Sequence, residues 1–292
     1  MDRREFTHGI LNSTIGAALS GLASGQGSTT KFKFSVMLWT VFTELPFEQR
    51  LEKVAEAGYC GVELVDEFKH WSETDFRMAN AKKQQLGLTF DATAGVSTGV
   101  AVPDATESFQ KDFRGLLQIA QRLECPSIIV LSGDRVEGKA REVQHAVCVD
   151  NLKWASDIAE KKGVSIFLET IDPEENRRVY LTGVPEALEI VRKVNRPNVK
   201  ILYDFYHEQI AEGNLIAKLE KNVDLIGLVH IADVPGRHEP GTGEINYANI
   251  FRRLAELGYD RYVAMEFFPS KSDPVSSLRT ARTQAIRAAN NG

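Results

Sequence analysis

Cysteine is scarce in this 292-residue chain. Cys60, Cys125 and Cys148 are odd in number and none belongs to a CxxC pair, which excludes a disulfide framework. No apolar run is long enough for a permanent membrane helix, so stable membrane insertion is not expected. Positive charge is not in excess either. Lys and Arg total 35 against 40 Asp and Glu, a net charge of −5, without the basic surplus that nucleic-acid binders usually carry, so no nucleic-acid partner is expected. No Gly-rich phosphate turn follows the first apolar run, where Thr40-Val41-Phe42-Thr43-Glu44 stands instead. Pro and Gly are scattered, and no interdomain linker stands out. What remains is an ordinary folded composition, 43% hydrophobic and 26% charged, in a chain long enough to build one large core.

Residues 1–30 stand apart. Arg3-Arg4-Glu5-Phe6 precedes a mildly apolar stretch from Gly9 to Leu22 and the small residues Ala23-Ser24-Gly25. A basic head, an apolar middle and a small-residue cleavage site make the layout of an export signal, and adjacent arginines before Phe resemble the twin-arginine type. The sequence therefore predicts a signal-like segment over 1–30 and a folded domain over 31–292. The expected location is periplasmic or otherwise exported, with the cytoplasm as the alternative.

From Lys31 onward, short runs rich in β-branched and aromatic residues alternate with segments of helical period. Eight strands are expected, at Phe32–Trp39, Gly61–Val65, Thr89–Ala94, Ser127–Leu131, Ser165–Thr170, Lys200–Phe205, Leu225–Ala232 and Tyr262–Phe267. Helical patterns run over Pro46–Ala57, Phe109–Leu123, Val143–Lys162, Val184–Val194 and Tyr247–Leu257, and several end on a Gly just past the last turn. Eight βα units in one domain predict a single (β/α)8 TIM barrel, whose chemistry belongs at the carboxyl ends of the strands.

Four successive strands deliver an ionisable side chain to that rim: Glu169, Asp204, His230 and Glu266. Each lies in an otherwise apolar run, where an unpaired charge is costly. Three carboxylates brought together repel, and a divalent cation resolves the conflict. Oxygen-rich donors favour Mg2+ or Mn2+. His207, just beyond Asp204, is placed to bond a substrate hydroxyl or carbonyl. Arg237, in the Pro-Gly-rich loop after the seventh strand, has the planar fork that suits a carboxylate, or else ties down Glu239 or Glu244. Glu63 is expected to bond His70 or the pocket floor, and Trp39, Phe42, Trp71 and Phe268 either wall the pocket or belong to the core.

The block from His230 to Tyr247, containing PGRHEPGTGEINY, closely resembles the hydroxypyruvate isomerase family of the xylose isomerase-like barrels. Leu168-Glu169-Thr170, Tyr203-Asp204-Phe205-Tyr206-His207 and Met265-Glu266-Phe267 fall in the family's order and spacing. The resemblance implies a metal held by Glu169, Asp204, His230 and Glu266, the two glutamates doubling as a proton-transfer pair, and a small hydroxy-keto substrate. One position departs. Hydroxypyruvate isomerases often carry Gln where this chain has His230, whereas the related ketose 3-epimerases carry His; both side chains can ligate. A weaker likeness to the epimerases adds Glu175 as a substrate contact, and the relatives' habit of forming dimers or tetramers implies a homo-oligomer as one option. A ketose 3-epimerase and a non-catalytic metal- or sugar-binding barrel are the alternative functions.

If the first segment is an export signal, N-terminal sequencing of periplasmic protein will give a start near Gln26. An intact Met1 on protein confined to the cytosol overturns that reading.

Overall fold

The computed structural model describes residues 30–291. The export-signal reading falls on residues 1–29, outside the described residues, apart from Thr30. Eight strands, β1 Lys33–Met37, β2 Gly61–Leu64, β3 Thr89–Thr93, β4 Ser127–Leu131, β5 Ser165–Glu169, β6 Val199–Asp204, β7 Ile226–Ile231 and β8 Tyr262–Met265, form a closed barrel in chain order. All neighbours are parallel, and β1 closes on β8. The helices between and after them are α1 Phe47–Glu56, α2 Glu73–Gln85, α3 Thr106–Leu123, α4 Arg141–Ala159, α5 Val184–Val194, α6 Phe205–Ala211, α7 Leu215–Asn222, α8 Tyr247–Glu256 and α9 Pro274–Asn290. The expected TIM barrel is therefore present, with strand ends within about two residues of the sequence reading.

Local chemistry accounts for these elements. The strands are nearly continuous apolar runs because parallel strands are covered on both faces. In α8, Tyr247, Ile250, Phe251 and Leu254 recur at helical spacing and are buried. The start of α2 is a capping box, Ser72 and Asp75 each satisfying the other's backbone N–H. Pro185 and Glu186 sit in the first turn of α5, and Asn195 ends it in the left-handed region.

The side-chain alternation of the strands positions the site. Val36, Val62, Leu168, Tyr203, Val229 and Met265 face the helices in the main core, while Met37, Ala92, Ile129, Phe167, Leu202, Leu228 and Ala264 pack together inside the barrel. Two residues beyond four of these lumen residues come Glu169, Asp204, His230 and Glu266. The ionisable ring is thus the next inward layer above an apolar plug. Phe167 crosses the lumen against β7, where a Cβ on Gly227 would run into its ring.

Adding that methyl forces overpacking, so Gly227→Ala should cost about 1–3 kcal/mol. Urea denaturation should show that pairing it with Phe167→Leu costs less than the sum of the two single changes. Strict additivity would show that the ring does not govern this position.

Candidate active site

Each of the four rim residues arrives from a different strand end, and each is buried. One potential ligand atom from each of Glu169, Asp204, His230 and Glu266 lies within 4.8 Å of the others. Asp204 is aimed by its own helix. It is the N-cap of α6, its Oδ1 accepting from the backbone N–H groups of Tyr206 (2.7 Å) and His207 (3.3 Å), which leaves Oδ2 toward the cluster, 4.0 Å from His230 Nδ1. His230 is held from both sides, Nε2 at 2.8 Å from Glu63 Oε2 and Nδ1 at 2.9 Å from Glu266 Oε2. Glu169 Oε1 stands 3.8 Å from the same Nδ1. Trp39 Nε1 donates to Glu266 Oε1 at 2.8 Å.

Arg237 enters from the loop after β7. Its Nη2 lies 2.8 Å from Glu266 Oε2 and its Nη1 donates to Glu175 at 2.6 Å. The guanidinium sits 5.5 Å from the Trp39 ring centre and 5.0 Å from that of Tyr206. The alternative partners Glu239 and Glu244 are corrected by this geometry. Glu239 accepts instead from Ser270 and Ser277, and Glu244 accepts from Gln209.

The Gly-rich part of the loop is wound around one carboxylate. Asp233 accepts from the backbone N–H groups of Val234, Gly241, Gly243 and Ile245 at 2.8–3.0 Å. A Cβ on Gly243 would collide with the Val234 carbonyl, so the loop closes only with glycine there. Tyr247 fastens its far end by donating from its hydroxyl to the Ala232 carbonyl at 2.5 Å. The motif is therefore mainly scaffolding, and Arg237 is the side chain it presents.

His207 is buried, with Nδ1 2.7 Å from Asp172 Oδ2 and Nε2 3.5 Å from Asp204 Oδ2. Asp172 in turn accepts from the backbone N–H groups of Glu174 and Glu175, setting the loop that carries Glu175. Of the aromatics, Trp39 and Phe268 meet edge to face at the rim. Phe42 belongs to the main core, and Trp71 packs edge-on against Phe47 and Phe76. Glu63 meets His230 at the pocket floor rather than His70. Sequence reading missed Asp172, Tyr206 and Asp233. Their partners are contributed by other segments or by loop backbone, with no local signature beyond the Asp172-Pro173 turn.

The electrostatics follow from crowding. Burial, reinforced by Glu266 and Asp204, outweighs the nearby histidines and raises the Glu169 carboxyl to about 8. Burial acts on Glu266 in the same sense, but Arg237 and His230 overcome it and hold Glu266 well below the usual carboxylate range. Burial disfavours charged imidazole at His207 and His230. Asp204 and Asp172 nevertheless raise His207 to about 9, and Glu63 and Glu266 push His230 well up. Beside the Arg237 guanidinium, three clustered carboxylates draw protons onto the neighbouring histidines. Three carboxylate donors and an imidazole suit a divalent cation, which would replace those protons, so the donor set fits a metal without fixing which one.

The family of xylose isomerase-like TIM barrels matches residues 51–288. A 2-oxo-tetronate isomerase of Pectobacterium atrosepticum is 32% identical over 243 residues, covering 81% of this chain and 92% of the relative. The hydroxypyruvate isomerase of Escherichia coli is 32% identical over 244 residues, covering 81% and 93%. Among solved structures, an AP endonuclease of family 2 from Brucella melitensis superposes with a TM-score of 0.77 at 29% identity, covering 86% of this chain and 97% of that one.

Metal binding should expel protons. At pH 7 about two should be released per Mn2+, one from Glu169 and one from His230, and affinity should rise with pH toward about 8 as Glu169 ionises. Titration calorimetry in two buffers of different ionisation enthalpy measures this directly. A heat independent of buffer would contradict it.

Proposed function

The chain is an isomerase of the xylose isomerase-like TIM barrel family, in its hydroxypyruvate and 2-oxo-tetronate isomerase branch, and from that premise we propose that it interconverts a small 2-oxo acid with the isomer whose carbonyl has moved to C3, by proton transfer between Glu169 and Glu266. The observation that carries this reading is the pairing of two buried glutamates, from strands separated by two others, across one ring with Asp204 and His230. Aldose–ketose isomerisation moves a hydrogen between adjacent carbons. A base takes the C–H proton and an acid returns one to the neighbouring carbon. The two glutamates reach the ring from different sides, and their environments push their proton affinities apart, Glu169 up and Glu266 down.

Glu169, Asp204, His230 and Glu266 would hold a divalent cation, Mg2+ or Mn2+ by the hardness of the donors, which when bound supplies a Lewis acid for the charge of an enediolate. Arg237 is the cation for the substrate's carboxylate. One arm of its fork, Nη1, donates to Glu175, a half-exposed carboxylate that a substrate carboxylate would displace, while the other lies against Glu266. His207, held by Asp172, is a hydrogen-bond donor at the edge of the ring. Trp39 and Phe268 form the apolar side of the mouth. With hydroxypyruvate, a C3 proton leaves, a proton is delivered to C2, and tartronate semialdehyde results. His230, shared with the ketose 3-epimerases, favours a second reading, in which a proton leaves and returns at one carbon of a ketose.

Proton NMR of the metal-loaded chain in D2O, with hydroxypyruvate, 2-oxo-tetronate and ketohexoses in parallel, tests this. Solvent exchange at C3 is expected for the oxo acids, with an aldehyde formed from hydroxypyruvate and a 3-oxo acid from 2-oxo-tetronate. Exchange confined to ketohexoses would move the chain to the epimerases, and no exchange would leave a binding barrel. Glu169→Gln and Glu266→Gln should each lower kcat about 10²- to 10⁴-fold. Arg237→Lys should raise KM for an oxo acid about 10- to 100-fold, from the loss of a charge-assisted pair. A KM unchanged by that substitution would remove Arg237 from substrate binding.

A further inference from the structure

Beneath His230 lies a set of polar groups that the proton-transfer chemistry does not use. Glu63 Oε2 meets His230 Nε2 at 2.8 Å, but Glu63 Oε1 is buried without a hydrogen-bond partner. Asp91, on β3, repeats the pattern: its Oδ1 accepts from Ser35 Oγ at 2.5 Å, and its Oδ2 is buried without a partner. Glu63 is fully buried and Asp91 is 3% exposed. Asp91 is the extra residue of β3 where its register against β2 shifts between the Val62–Phe90 and Glu63–Ala92 pairs, which sets it beside Glu63. Two buried carboxylates facing one another cannot both stay ionised, whereas one proton between their orphan oxygens satisfies both at once.

The space for this arrangement is reserved by the fold. Ser35 pairs with Gly61 across β1 and β2. A Cβ at Gly61 would stand 2.6 Å from Asp91 Oδ1 and 2.7 Å from Ser35 Oγ. Glycine there admits the Ser35–Asp91 contact, and Gly61 lies two residues before Glu63 on the same strand.

We propose that Asp91 and Glu63 are positioning residues for His230: Asp91 donates a hydrogen bond to Glu63 Oε1, Glu63 accepts from His230 Nε2–H, and the imidazole is thereby fixed with Nδ1 toward Glu169, Asp204 and Glu266. The direction of the column matters because each member has one donor or acceptor to give. A proton on Asp91 leaves Glu63 as acceptor for the imidazole N–H, and that N–H on Nε2 leaves Nδ1 free to serve as a ligand. Burial and the neighbouring Glu63 charge push the Asp91 carboxyl well above the ordinary range, in agreement with its role as donor. A histidine ligand whose second nitrogen is held by a carboxylate is a more basic and better oriented ligand. The consequence for metal binding rests on the reading of the ring as a metal site, while the column stands without it.

The test uses the full chain, with Mn2+ as probe and 15N-labelled histidine for NMR. Asparagine at position 91 reproduces a neutral acid, its carbonyl accepting from Ser35 and its amide donating to Glu63. Asp91→Asn should therefore bind Mn2+ within about threefold of the unaltered chain, whereas Asp91→Ala and Glu63→Gln should each weaken it about 10- to 100-fold. A downfield His230 Nε2–H resonance should be present in the metal-free chain, persist in Asp91→Asn and shift in Glu63→Gln, which keeps the test open if Asp91→Ala does not fold. Asp91→Asn losing affinity and resonance as fully as Asp91→Ala, or Glu63→Gln leaving both unchanged, would overturn the column. If the unaltered chain bound no Mn2+ yet showed the resonance and its pattern among the variants, the metal reading would fail and the column would stand.

Discussion

The cost of gathering ionised carboxylates in a space shielded from water governs this molecule. Glu169, Asp204 and Glu266 sit in one buried ring, and separately each would be an expensive error in a barrel strand. The surrounding structure answers that cost group by group. Asp204 spends one oxygen capping α6, Glu266 is flanked by Trp39, His230 and Arg237, and Glu169 keeps its proton more tightly than an ordinary glutamate. A ring that takes up positive charge from any available source is also one suited to a doubly charged ion. The same crowding that would destabilise an unmatched ring would favour such an ion, and it separates the two glutamates in basicity.

The four ring residues were legible in the sequence because their spacing is dictated by the strand. Phe167 and Glu169, Leu202 and Asp204, Leu228 and His230, Ala264 and Glu266 are each two apart, so an inward apolar residue is followed by an inward ionisable one. Chain order and eight apolar runs then suffice to place the four on one rim. The neighbours that tune them were not legible in the same way. Glu63 and His230 are 167 positions apart, and Asp172 and His207 are 35 apart. No local period encodes such pairs. Arg237 was marked by its loop, but the acids it meets, Glu175 and Glu266, are not its alternative partners Glu239 and Glu244, which are drawn off by Ser270, Ser277 and Gln209.

The helices divide by the same logic. Those with a broad apolar stripe, such as α3, α5 and α8, announce themselves. In α9 the buried face is built from Val275, Ser277, Leu278, Ala281 and Ala285, small residues that give little contrast with the exposed face. In α2 only Phe76, Ala79 and Lys83 are buried, and Lys83 reads as polar although its amine reaches the Leu123 carbonyl and Glu124. Packing against neighbours, rather than intrinsic periodicity, stabilises these segments.

The tie between Glu239 and the segment after β8 bears on how the protein is made. Glu239 lies in the loop that presents Arg237, and its partners Ser270 and Ser277 lie beyond β8, the second at the start of α9. Strand β8 also supplies the only seam through which β1 can be paired on its open side. Until β8 and the segment that carries Ser270 and Ser277 have been made, the nascent chain has an unzipped sheet and an unanchored arginine arm. Glu266, at the end of β8, is delivered late as well. The ring of four groups can be completed only after β8 has been made and has closed on β1.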